Sequence, residues 1–143
     1  MDVAARVRLP LLLLRIGVFI VMLMWTLDKF VRPGHAAGVY KKFYQLDVSA
    51  SPVFYVLGAL ELVLLILFVT GTAKRFSYGA VLLLHAVSTF SSYRQYLQPF
   101  DNLLFFAAWP MLAACIALYL LRDLDTLWAV PRRRLPAPLA RLG

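Results

Sequence analysis

Residues 52–73 read PVFYVLGALELVLLILFVTGTA, and this stretch decides the fold. A proline suited to a first helical turn opens it, and Gly71 closes it ahead of Lys74-Arg75. Between them Glu61 is the only charge. At about 1.5 Å per residue such a helix crosses a hydrocarbon core of about 30 Å. Three further apolar blocks have the same build, at about 9–31, 76–96 and 102–121. The last contains Pro110, which a spanning helix tolerates when neighbours satisfy the freed carbonyl. The expected fold is therefore all-α, a four-transmembrane-helix bundle. Residues 1–128 form one membrane domain with spans at about 9–31, 52–73, 76–96 and 102–121. A basic, proline-rich cytoplasmic tail, 129–143, follows it.

The composition agrees with this expectation. Of 143 residues, 62% are hydrophobic and 15% charged, which excludes an ordinary soluble domain, a disordered chain and a fibrous repeat. The net charge of +8 sits at the edges of the apolar blocks, as at Lys74-Arg75 and Arg132-Arg133-Arg134. Nucleic-acid binders gather such charge on one face, so no nucleic-acid partner is expected. Flanking basic residues set topology instead. With both termini on one side, Arg6, Arg8, Lys74, Arg75, Arg122, Arg132, Arg133, Arg134 and Arg141 share that side, against Arg32, Lys41, Lys42 and Arg94 opposite. This places both termini in the cytoplasm, with a bacterial inner membrane as the expected location. The first block lacks a small-x-small cleavage site and ends in Trp25, Asp28, Lys29 and Phe30, so it reads as a retained helix.

The one long loop, about 32–51, carries Val39, Tyr40, Phe43, Tyr44 and Leu46 at helical spacing, with Lys41, Lys42 and Gln45 turned elsewhere. This is the pattern of a short amphipathic helix in the outer interface.

Polar groups at membrane depth each need a reason. Arg15 stands close enough to the cytoplasmic edge to snorkel out and is given no function. Asp28 reaches Arg32 four residues on and Trp25 three back, a structural ion pair at a helix end. Glu61 and His85 both fall near the bilayer midplane, at a depth where they could hydrogen-bond or exchange a proton. Glu61 would be neutral unless a cation faces it. His85, Ser88, Thr89, Ser92, Gln95 and Tyr96 form a stripe at steps of three and four. That stripe suits either the lining of a cavity open to the outside or hydrogen bonding between helices. Cys115 is the only cysteine and His35 and His85 the only histidines, so no intramolecular disulfide, no CxxC pair and no metal site are expected.

Several short motifs resemble the DoxX-like family of small four-helix membrane proteins. They are Leu-Leu-Arg15-Ile-Gly17 leading to Trp25-Thr-Leu-Asp-Lys29-Phe with Pro33 nearby, Gly58-Ala-Leu-Glu61-Leu, Gly71-Thr-Ala-Lys-Arg75 and Asp101-Asn102-Leu-Leu. They cover about residues 10 to 122. The resemblance implies a four-helix bundle and, for some members, association with redox enzymes that use quinone. Related methylamine-utilisation and vitamin K epoxide reductase-like bundles use cysteine pairs, and Cys115 alone departs from that chemistry. Flavin, haem and iron–sulfur signatures are lacking.

Three functions follow as expectations. The first is an accessory subunit anchoring or stabilising a larger membrane complex, with the lipid bilayer and other membrane subunits as partners and no intrinsic cofactor. The second is a quinone-linked subunit of an oxidoreductase system, with Glu61, His85 and Ser88 holding the quinone head and Trp25 and Tyr93 packing on its ring. The third is a small-solute or proton carrier, with the path completed by homo-oligomerisation. None makes the chain an autonomous enzyme.

Overall fold

A computed structural model describes residues 2–49 and 51–131. The tail expected over 129–143 lies outside the described residues from position 132 onward. Among the described residues the chain is all-helical. Helix α1 runs Val3–Val31, and α2, Pro33–Val39, continues into a π-helical turn at Tyr40–Tyr44. Helix α3 is Ser51–Val69, α4 is Lys74–Ser91 and α5 is the short Tyr93–Tyr96. Two 3-10 segments, Pro99–Asp101 and Leu103–Ala107, precede α6, Ala108–Leu120. Three helical stretches are long and apolar enough to cross a membrane: Val3–Val31, Ser51–Val69 and Leu103–Leu120. They make the chain an integral membrane protein. The remaining long helix, α4, packs between α3 and α6.

The ends of these helices have local causes. Helix α3 stops in a Schellman motif: the Thr72 amide donates to the Leu67 carbonyl at 2.8 Å and the Gly71 amide to Phe68 at 3.1 Å. Gly71 sits at φ +65°, where a side chain would be strained. The sequence extends the third span to residue 96, but α4 breaks at Ser92, and α5 follows as a separate turn. The run Ser88, Ser91 and Ser92 weakens the ladder there, since the Ser91 and Ser92 hydroxyls both donate back to the Ser88 carbonyl. The last span starts as a 3-10 segment because Pro110 has no amide to give Phe106, and it falls in the first turn of α6. The loop helix begins at Pro33, earlier than the expected amphipathic stretch, and that stretch holds the π-turn.

The two ends of the bundle are built differently. At one end each long helix contributes two residues to a closed core: Leu11 and Val18, Leu65 and Phe68, Tyr78 and Val81, Cys115 and Leu118. The chain beyond α6 folds back over this end, and the Val130 amide donates to the Thr70 carbonyl at 2.9 Å. Toward the other end the buried residues of α1 and α4 turn polar, to Thr26, Asp28, Lys29, His85 and Thr89, with Ser92 buried at the end of α4. There a cavity separates the helices.

Candidate functional site

Helix α1 places Arg15, Met22 and Lys29 seven residues apart, so they share one face about 21 Å long. That face points into the bundle. Arg15 is 0% exposed and does not snorkel, contrary to the expectation from the sequence. Its Nη1 donates to Asp125 Oδ2 and to the Tyr78 hydroxyl, each at 3.2 Å, and its Nη2 to the Leu127 and Trp128 carbonyls. The Tyr78 hydroxyl donates to the same Asp125 oxygen at 2.7 Å. Lys74 caps the carbonyls of Arg122 and Asp125. The physical reason for the burial is that a counter-charge and two carbonyls are folded over Arg15 by residues 122–130, although its Nε finds no partner among the described residues. Snorkelling is favourable only when water offers more than the protein does.

Fourteen residues further along α1, Lys29 Nζ donates to Glu61 Oε2 at 2.8 Å. The Thr26 hydroxyl lies 3.1 Å from the same oxygen and 2.9 Å from the Met22 carbonyl. Glu61 reaches this position because Phe54, Gly58, Glu61, Leu65 and Phe68 fall on one face of α3. Gly58, one turn away, lets Phe30 lie against α3, since a Cβ there would stand 2.7 Å from the ring. Thus the cation that Glu61 required is Lys29, a residue that the sequence reading left unassigned inside the first span. The signal was present in the spacing of Arg15 and Lys29.

Glu61 and His85 do not bond one another, contrary to the contact entertained from their equal depth. His85 Nε2 lies 3.0 Å from the Ala108 carbonyl, which can only accept, so Nε2 carries the hydrogen. The Thr89 hydroxyl donates to the His85 carbonyl at 2.8 Å. The Nδ1 atom of His85 has no protein partner among the described residues.

Asp28 forms the ion pair expected with Arg32, at 2.6 Å, and adds His35 Nδ1 at 2.5 Å. His35 in turn stacks on Trp25 with centroids 6.5 Å apart. Tyr40 closes the same end. Its ring lies 5.8 Å below Lys29 Nζ and packs edge-on against Phe54. Burial, with the Glu61 carboxylate nearby, pushes its hydroxyl up to about 12.

These groups surround a cavity of about 1010 Å³, walled by α1, α4 and α6 with the loop helix across one end. Of the residues singled out from the sequence, Trp25, Glu61, His85 and Ser88 line it, as do Asp28 and Lys29. Tyr93 does not. It is 54% exposed, takes a hydrogen bond from Arg94 Nε, and borders a separate small hollow beside Lys42 and Gln95. It is not one of the stripe residues, and its ring lies outside the cavity lining. No group of three metal-ligating side chains occurs among the described residues.

The fold and site define a helical integral membrane protein with an intramembrane cavity, apolar over most of its wall and polar at one end. Comparison with protein-family models, with curated proteins and with solved structures finds no match to the chain.

Proposed function

We propose that this is a DoxX-like integral membrane subunit serving a larger redox complex, and that its own contribution is a quinone-type site in the cavity. The observation that carries the proposal is the cavity itself, with the Lys29–Glu61 pair and His85 at its polar end. A cavity of about 1010 Å³ with charged groups at one end favours a binding role over an anchor that only stabilises a complex. A carrier needs access from both ends, and the closed core around Leu11, Phe68, Tyr78 and Leu118 blocks one of them.

In this proposal α4 is the fourth span, its polar stripe turned inward and its Leu83 and Phe90 outward to lipid. The Arg15–Asp125 end faces the cytoplasm together with both termini, and the setting is a bacterial inner membrane. Other membrane subunits, or further copies of the chain, cover part of the lipid-facing surface.

The cavity fits the group. A quinone head needs hydrogen-bond donors at its oxygens and flat or apolar walls around its ring. Lys29 and Ser88 supply donors, Trp25 and Tyr40 aromatic faces, and His85 Nδ1 a lone pair for a proton. Quinone would bring two-electron, two-proton chemistry, with electrons passing to or from a partner. Residues of this chain hold and orient the head: Glu61 fixes the Lys29 ammonium, and Ala108 fixes the His85 tautomer.

Photolabelling of the purified chain in lipid nanodiscs with a quinone carrying the photoreactive group on its ring tests this. Labelling should fall in Glu61→Gln and His85→Ala. Labelling that ignores both substitutions, or that fails altogether, overturns the assignment.

A further inference from the structure

The cavity reaches the outside of the bundle along α1. Leu13, Gly17, Val21 and Trp25, spaced four residues apart, both line it and lie exposed, as does Leu104 of the 3-10 segment at 90%. A space that reaches the lipid-facing side of a membrane helix opens to lipid, not to water. From Leu13 to Lys29 the α1 wall is about 24 Å long. Its charged groups are confined to the last turn, and they compensate one another: Lys29 with Glu61, Asp28 with Arg32. The lining residues between Leu13 and Val21 are all apolar, Arg15 being turned away from the cavity, and Ala114 lies among the apolar lining residues of α6. At Gly17 an added Cβ would meet nothing within 4 Å, so the wall has open space in front of it there.

A volume at the top of the range for drug-sized ligands exceeds what a compact ring would fill. We propose that the occupant is a neutral, long-chain membrane lipid with one compact hydrogen-bonding head. It enters sideways from the bilayer past Gly17, places its head against Lys29, Glu61 and His85, and lays its chain along Leu13–Val21. The head contacts rest on the quinone reading above. The sideways entry and the chain's place rest on the exposed lining row alone.

Three photoprobes separate the two, each at the same mole fraction in nanodiscs holding the full chain. One is a decyl-quinone with the reactive group on the ring, the second the same molecule with the group at the chain end, and the third a diacylglycerol with a chain-end group. The ring probe should label peptides carrying Trp25–Tyr44 or His85–Ser92, and the chain-end quinone probe the peptide carrying Leu13–Val21. Gly17→Trp, which places an indole in that open space, should cut chain-end labelling by about tenfold. Leu83→Trp, on the exposed side of α4 and outside the cavity lining, should leave it unchanged. Chain-end labelling elsewhere, or labelling indifferent to Gly17→Trp, overturns this inference while leaving the ring site standing. Labelling of Leu13–Val21 by the diacylglycerol and by neither quinone probe supports the lipid slot and overturns the quinone. Failure of all three probes overturns both.

Discussion

Breaking the buried pair at the closed end of the bundle gives the sharpest test of how the chain is held together. Arg15 and Asp125 are both 0% exposed and lie 110 residues apart, with 3.2 Å between Nη1 and Oδ2. At that distance their gross attraction is about 5 kcal/mol for an effective dielectric of about 20, opposed by the desolvation of both groups. Removing one partner strands the other. Asp125→Leu leaves the guanidinium with two backbone carbonyls and the Tyr78 hydroxyl, and Arg15→Met leaves the carboxylate with Tyr78 alone. Each single change should cost about 3–5 kcal/mol. For a chain of this length that is a fall of roughly 10–20 °C in the midpoint of thermal unfolding. The double variant strands no charge and gives up the carbonyl bonds of Arg15 and the two bonds of the Tyr78 hydroxyl, at about 2–3 kcal/mol. The coupling energy is then about 3 kcal/mol or more. Thermal unfolding of the four proteins in one detergent, followed by near-ultraviolet circular dichroism, measures it. Midpoints that add within about 0.5 kcal/mol would show that the two residues act independently, and the latch of residues 122–130 onto α1 would be wrong.

Other substitutions read the rest of the structure. Gly71→Ala forces a side chain into φ +65° and sets its Cβ 2.8 Å from Ala129 and 3.0 Å from Arg15 Nη1, so it should lose at least about 2 kcal/mol. Gly17→Ala meets no atom and should gain about 0.5–1 kcal/mol from helix propensity, and equal signs for the two in thermal unfolding would contradict this. Glu61→Gln keeps an oxygen for Lys29 and Thr26 and should unfold within a few degrees of the parent. Glu61→Leu leaves the Lys29 ammonium with the Trp25 carbonyl at 3.4 Å and the Tyr40 ring face and should lose about 2–4 kcal/mol, largely restored by Lys29→Met. Identical midpoints for the Gln and Leu variants would remove the ion pair from the account. For Tyr40 the neutral phenol is favoured in the folded chain, so its share of stability is full below the unfolded value of about 10. That share is lost as pH rises toward about 12. Tyr40→Phe should flatten the decline and remove a late component from the tyrosinate absorbance titration.

Much of the fold is legible in the sequence because the membrane imposes long apolar runs. The α3 run with its Gly71 stop is set by local chemistry that residue order carries directly, whereas the loop helix starts at Pro33, ahead of the stretch that its spacing indicates. The end of α4 was misplaced because its polar stripe keeps helical spacing through Tyr96, whereas the serine hydroxyls at 91 and 92 turn back onto the backbone. Trp25, Glu61, His85 and Ser88 stand out in the sequence as polar or aromatic groups within apolar runs, and all four line the cavity; relative depth is what residue order carries for a helix of known direction. Which groups meet depends on which helices are neighbours and how each is rotated. That is why Glu61 and His85, equal in depth, have different partners, and why Lys29 went unassigned. Asp125 was invisible for a related reason. It lies beyond the last span, in a segment that looks like the beginning of a tail until Arg15 and Lys74 are seen to hold it.

Arg15 and Lys29 resemble one another in sequence, as two cations on one helix face, but the bundle treats them oppositely. At Arg15 the chain is closed over the charge, every helix packs, and the counter-ion sits in the interior. At Lys29 the helices part, and the charge is met by a carboxylate that is itself partly open to the cavity. Packing free energy is therefore concentrated in the first half, and the second half lacks the side chains that would fill it. Filling it with apolar residues would have been the more stable solution, because a buried ion pair is a poor way to stabilise a core. A space kept open next to a paired cation, an imidazole with a free nitrogen and an aromatic face is expensive in stability and useful for binding. The closed half supplies the rigidity that such a space needs, since α1 carries both halves and cannot shift at Lys29 without disturbing the contacts at Arg15.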